Sequence, residues 1–83
     1  MTEAAEIAIR GEMIRLGQFL KLAGAVDGGG EAKALLAGGA VTVNGEPELR
    51  RGRQLRVGDL VRADAAEWRV TGEPIQPPAP KAG

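Results

Sequence analysis

At 83 residues, with a formal net charge of zero and neither cysteine nor histidine, the chain has the size of one small domain and excludes several kinds of chemistry at once. A disulfide framework and a thiolate nucleophile are ruled out, and with them the commonest metal ligand and the usual neutral-pH proton carrier, so metalloenzymes and Ser-His hydrolases drop away. No cofactor, metal or small-molecule substrate is expected, and the chain reads as a non-enzyme.

The N-terminus carries Glu3 and Glu6 among alanines, without the basic start of a secretory signal. No apolar run approaches the roughly 20 residues of a membrane span, which points to a cytoplasmic address. Ile7 and Ile9 alternate with Ala8 and Arg10, the period of a half-buried strand over residues 6–10. From Leu16 the period changes: Leu16, Phe19, Leu20 and Ala23 form one helical stripe, with Gln18 and Lys21 on the opposite face and Gly24 as the stop. Asp27-Gly28-Gly29-Gly30 reads as a turn, after which Ala32, Leu35 and Leu36 repeat the helical spacing up to Gly38-Gly39.

Val41-Thr42-Val43 then alternates as a strand, and Asn44-Gly45 signals a tight hairpin turn in which both positions tolerate positive φ. The returning strand is expected near Pro47 to Leu49. Leu55 and Val57 are expected to face one way and Arg56 the other; Gly58-Asp59 turns the chain, Leu60 to Ala63 is strand-like, and Trp68 with Val70 ends the pattern. The fold class is α+β, two short helices packed on a small, mostly antiparallel sheet over residues 1–72. Residues 73–83, with Pro74, Pro77, Pro78 and Pro80, read as a flexible tail without a core of its own.

Three features invite a chemical reading. Gly24 and Gly29 have the gap of a phosphate loop, but Gly30-Glu31 stands where Lys-Ser or Lys-Thr is needed. The carboxylate pairs Glu46/Glu48 and Asp64/Glu67 have no flanking sign of burial and read as solvated. The third feature is different: "LRRGRQLR", Leu49 to Arg56, holds four arginines and no acid. A solvated strand edge explains one or two such charges, whereas guanidiniums fanning from a turn at Gly52 suit phosphate binding. Lys21 and Lys33, each off its helix's apolar stripe, extend the patch. Tyrosine is absent, Phe19 lies in the helical stripe, and Trp68 reads as core, so base stacking gives way to recognition of RNA backbone shape.

The run "RLGQFLKLAGAVDGGGEAKALLAGGAVTVNGEPELRRGRQLRVGDLV", Arg15 to Val61, resembles the S-four RNA-binding domain, the family named after the fourth protein of the small ribosomal subunit. "LGQFLKLAG", "GGEAK", "VNGE" and "RRGR" are similar to the short stand-alone bacterial members associated with ribosomal RNA and ribosome assembly. The resemblance implies the αL motif, in which two helices and the following hairpin present one basic surface to structured RNA. By position it implies RNA contacts from Gln18, Lys21, Lys33, Asn44, Arg50, Arg51 and Arg53; Arg56 is added from charge and strand alternation. Many members open the second helix with Ser-Arg, where this chain has Gly28 and Gly29.

The leading expectation is a monomeric RNA-binding protein acting on ribosomal RNA or an assembling ribosomal subunit. A ubiquitin-like sulfur carrier is the rival suggested by the "VNGE" and "GD" strand edges, against which stands an ending in Pro-Ala-Pro-Lys-Ala-Gly rather than Gly-Gly. A protein-interaction adaptor, its arginines meeting an acidic partner, is the third reading.

Overall fold

The computed structural model describes residues 4–72. The Pro-rich stretch expected as a tail, 73–83, lies outside the described residues. In chain order the elements are β1 (Ala5–Ile9), β2 (Met13–Arg15), α1 (Leu16–Leu22), α2 (Gly29–Ala37), β3 (Val41–Val43), β4 (Glu46–Pro47), β5 (Gln54–Arg56), β6 (Leu60–Ala63) and β7 (Ala66–Gly72). The helices pack on a five-stranded sheet of order β1-β7-β6-β3-β4, while β2 and β5 form a separate antiparallel pair. The fold is α+β with a mixed, mostly antiparallel sheet: β3–β4, β3–β6 and β6–β7 run antiparallel, and β1 alone lies parallel to β7.

The apolar periods explain the layers. Leu16, Phe19 and Leu20 on α1 are fully buried, as are Ala32 and Leu36 on α2, with Ala23 and Leu35 packed at the margin. From the sheet, alternate residues Val41, Val43, Val61, Ala63, Trp68 and Val70 turn the same way and close the core. Phe19 and Trp68 meet there edge to face, ring centroids 6.4 Å apart and planes at 78°, the arrangement that aligns a ring's positive edge with its neighbour's negative face. Asn44 and Gly45 take φ values of 53° and 86°, both in the left-handed region that a two-residue hairpin of matching twist requires.

Several expectations shift. The second helix starts inside the glycine run, at Gly29, with Gly28 as its extended N-cap, so the turn is shorter than foreseen. The returning hairpin strand is only Glu46–Pro47, with one further bond from the Glu48 N–H to the Val41 carbonyl; Pro47 lies at the edge position that donates no ladder bond, and Leu49, expected to anchor a strand, is 63% exposed. Val57 is also exposed: β5 stops at Arg56, and the turn at Gly58 takes Val57 off the face that buries Leu55. Strand β2 was not foreseen; its three residues are placed by pairing Met13, Ile14 and Arg15 with Arg56, Leu55 and Gln54.

With one aromatic pair at its centre, the core depends on Phe19. Phe19→Ala is expected to cost about 3–5 kcal/mol, a large part of the ~5–15 kcal/mol that holds a small domain folded. Thermal melts followed by circular dichroism check this, and a variant melting with the wild type would show that the ring is dispensable.

Candidate nucleic-acid interface

Between β4 and β5 the chain leaves regular structure, and the side chain that organises it is an acid. Glu48 is 6% exposed, and its N–H donates to the Val41 carbonyl at 3.0 Å, which turns the residue inward just past Pro47. One carboxylate oxygen accepts the N–H groups of Leu49 and Arg50, each at 3.1 Å, and the Arg50 Nε at 3.3 Å. The other accepts Arg53 Nη1 at 2.9 Å. The Arg50 guanidinium and backbone N–H, then Arg53, lower the Glu48 pKa from 4.5 to about 2, against burial, which alone pushes it up. The reading of Glu46 and Glu48 as a solvated pair therefore holds for Glu46 and fails for Glu48.

The loop so gathered docks on the start of α1. The Arg53 carbonyl accepts Leu16 N–H at 2.8 Å and the Arg51 carbonyl accepts Gly17 N–H at 2.9 Å, meeting two of the donors that a helix start leaves without intrahelical partners. Glycine at 17 eases this approach: a Cβ there would stand 3.3 Å from the Arg51 Cβ, so the loop would have to give by a few tenths of an ångström. Arg15, at the junction of β2 and α1, brings Nη1 to within 3.8 Å of where a Cβ on Gly52 would lie, so its guanidinium runs alongside the loop.

The result is a groove of about 290 Å³ between α1, the loop and the entry to α2. Its walls carry the cations Arg15, Lys21 and Arg51 and the amide of Gln18, over a floor of Gly17, Gly28 and Ala32. No carboxylate of the described residues lines it. Among the described residues the side chains of these three cations and of Gln18 have no hydrogen-bond or ion-pair partner. On the other side of the loop, Arg50, Gly52, Arg53 and Gln54 border a second basic depression. Arg50 stays 77% exposed despite its tether to Glu48, and Arg53 34%.

Of the residues singled out from sequence, the structure thus brings Gln18, Lys21 and Arg51 into one groove and sets Arg50 and Arg53 beside it. Lys33 is exposed on α2 and Arg56 on β5, and neither lines either depression. Asn44 is committed to the scaffold: its Nδ2 donates to Asp59 at 3.1 Å and its Oδ1 accepts Leu60 N–H at 2.9 Å. The other Asp59 oxygen accepts Arg56 N–H at 2.8 Å, so one carboxylate joins the hairpin tip to the β5–β6 turn. Sequence reasoning passed over Arg15, Gly17 and Glu48. Arg15 and Glu48 had a signal: a charge immediately before the helix, and the only acid next to the arginine run.

Exposed aromatic side chains are absent among the described residues, since Phe19 is fully buried and Trp68 is 8% exposed. Nor do the described residues include a group of three or more acids able to hold a metal. No described helix is long and apolar enough to cross a membrane.

Comparison with known proteins bears on the same span. A family model for the S4 domain matches residues 7–71. The probable ribosome maturation protein RlbA of Bacillus subtilis (strain 168) is 54% identical over 61 residues, which cover 74% of this chain and 86% of that protein.

Glu48 makes the loop sensitive to acid. Because its folded pKa lies below the unfolded one, its contribution to stability is complete above about pH 4.5 and is lost as the pH falls toward 2. Glu48→Gln is expected to lower stability by roughly 1–3 kcal/mol at neutral pH and to flatten the acid limb of the stability profile. Urea titrations of both proteins from pH 7 to about pH 2.5 check this; parallel profiles would remove Glu48 from its organising role.

Proposed function

Because the chain belongs to the S4 domain family, we propose that it is a non-catalytic RNA-binding protein acting in ribosome maturation in the cytoplasm. Its ligand is structured RNA, ribosomal RNA or an assembling subunit, held against α1, the start of α2 and the arginine loop. The observation that carries this reading is the groove in which Arg15, Lys21 and Arg51 converge without a lining acid, beside Arg50 and Arg53. Guanidinium groups bind phosphate oxygens through paired N–H donors. The relative named for ribosome maturation supports ribosomal RNA over other structured RNAs.

The buried aromatics define the mode. Single-stranded RNA is usually held by bases stacked on exposed rings, and the described surface presents none. Contacts to phosphate and sugar on a folded or double-helical RNA remain, and these read shape rather than sequence. Gln18, Lys21, Arg50, Arg51 and Arg53 make these contacts, joined by Arg15; Lys33 and Arg56 flank them, and Asn44 acts by fixing the hairpin.

If the patch neutralises roughly 4 to 6 phosphates, the logarithm of the binding constant falls with the logarithm of salt concentration at a slope of about −3 to −5. Filter binding to purified ribosomal RNA and to ribosomal subunits over a salt series measures it. Charge reversal belongs at Lys21 and Arg51, whose side chains have no partner among the described residues, rather than at Arg50 and Arg53, which hold Glu48. A Lys21→Glu/Arg51→Glu variant is expected to keep its melting temperature and lose binding at least tenfold. A salt-independent interaction, or unchanged binding by the folded variant, would overturn the reading.

A further inference from the structure

We infer that the groove between α1, the arginine loop and the entry to α2 seats one ribonucleotide unit of the RNA strand, with Arg15, Lys21 and Arg51 on its phosphate and Gln18 on its 2′-hydroxyl. This rests on the RNA-binding reading and gives each lining residue a separate part in it.

Three unpartnered cations repel one another, and a phosphate placed among them relieves that repulsion. The floor of Gly17, Gly28 and Ala32 lets the anion approach the backbone closely, and above Gly28 the space where a Cβ would point is open. Gln18 does not fit that purpose. A phosphate diester offers only acceptors, which the cations already satisfy, whereas an amide carries both donors and an acceptor. The matching group is one that both donates and accepts.

In a nucleic-acid strand the hydroxyl nearest the phosphate is the ribose 2′-OH, vicinal to the esterified 3′-oxygen. Gln18 stands one helical turn before Lys21 on the same face of α1, a separation of ~5–6 Å between Cβ atoms. A side chain that near a phosphate-holding lysine reaches the sugar. Base edges lie farther off, and in an A-form helix the major-groove edges are inaccessible to side chains. Gln18 is thus a specificity-determining residue: it separates RNA from DNA and from sugar-modified RNA, while the three cations bind any phosphate strand.

The test uses one mixed-sequence hairpin made with three backbones: RNA, 2′-O-methyl RNA, which keeps the A-form but loses the hydroxyl donor, and DNA. Fluorescence anisotropy over a salt series gives affinity and slope for each. The wild type is expected to prefer the RNA hairpin. Gln18→Ala is expected to lose about fivefold on RNA alone, closing the gap to 2′-O-methyl RNA with an unchanged slope. Arg51→Ala is expected to weaken all three hairpins and to reduce the slope by about 0.7–0.9.

Gly28→Asp separates the groove from the fold. Gly28 is the extended N-cap of α2, where aspartate is well suited to a helix start, so stability is maintained while a carboxylate enters the groove. All three hairpins should then bind roughly tenfold more weakly. A folded Gly28→Asp protein that binds normally overturns the groove assignment. A wild type that does not distinguish RNA from 2′-O-methyl RNA, or a Gln18→Ala variant that keeps the preference, overturns the role of Gln18 and leaves RNA binding standing. A wild type that binds no RNA hairpin overturns the functional reading and this inference with it.

Discussion

The basic surface depends on a buried negative charge. A carboxylate taken out of water is costly unless its lone pairs are filled, and Glu48 fills them with the N–H groups of Leu49 and Arg50 and with two guanidiniums from the same short loop. Four donors drawn to one side chain fix a segment that has no ladder of its own. From there the order passes outward: the Arg51 and Arg53 carbonyls meet the first N–H groups of α1, and β5 continues into its pairing with β2. In the other direction Glu48 is tied through its own N–H to β3 and the Asn44-Gly45 hairpin. Buried ion pairs are a poor source of net stability, and their better use is to select one arrangement among several; here the arrangement selected is the docking of a loop on a helix.

That constraint divides the arginines by task. Arg50 and Arg53 are held by Glu48, so part of the conformational entropy that a long side chain loses on binding is already lost in the free protein. The side chains of Arg15, Lys21 and Arg51 have no partners among the described residues and supply charge to the groove. Gly17 connects the two groups, because a Cβ there would press on the Arg51 Cβ at 3.3 Å where the loop lies against α1. Glycine is disfavoured by roughly 0.5–1 kcal/mol relative to alanine in a helix interior, and here it stands at the second residue of α1, where the loop docks.

How much of this was legible in the sequence follows from what each feature depends on. Local periodicity and turn chemistry gave both helices, their glycine stops, the Asn44-Gly45 hairpin and the buried Trp68, since each is decided within a few residues. Strand β2 and the parallel pairing of β1 with β7 depend on partners far away in the chain, Gln54–Arg56 and Trp68–Gly72, and three residues such as Met13–Arg15 carry no period to read. Glu48 was misread for a related reason. A strand pattern continued through Pro47 puts it on the solvent face beside Glu46, whereas the regular strand ends at Pro47 and Glu48, still bonded to Val41 through its N–H, turns its side chain in. The arginine run was conspicuous in one dimension; that Arg15 joins it and Arg56 lies outside both depressions is a fact of the β2–β5 pairing and the loop's docking.

Charge neutrality acquires a meaning once the patch is placed. Interactions between exposed charges fade over a Debye length of about 8 Å at physiological salt, so a chain of zero net charge exerts little long-range pull on a polyanion. Attraction would become strong only within contact range of Arg15, Lys21, Arg51 and their neighbours, where no acid of the described residues lines the groove. A uniformly basic protein of this size would adhere to any nucleic acid it met. With its acids distributed elsewhere and one of them buried to shape the loop, the proposed interface would hold firmly only phosphates presented in a geometry the groove and loop can meet together, which is how shape recognition acquires selectivity without reading bases.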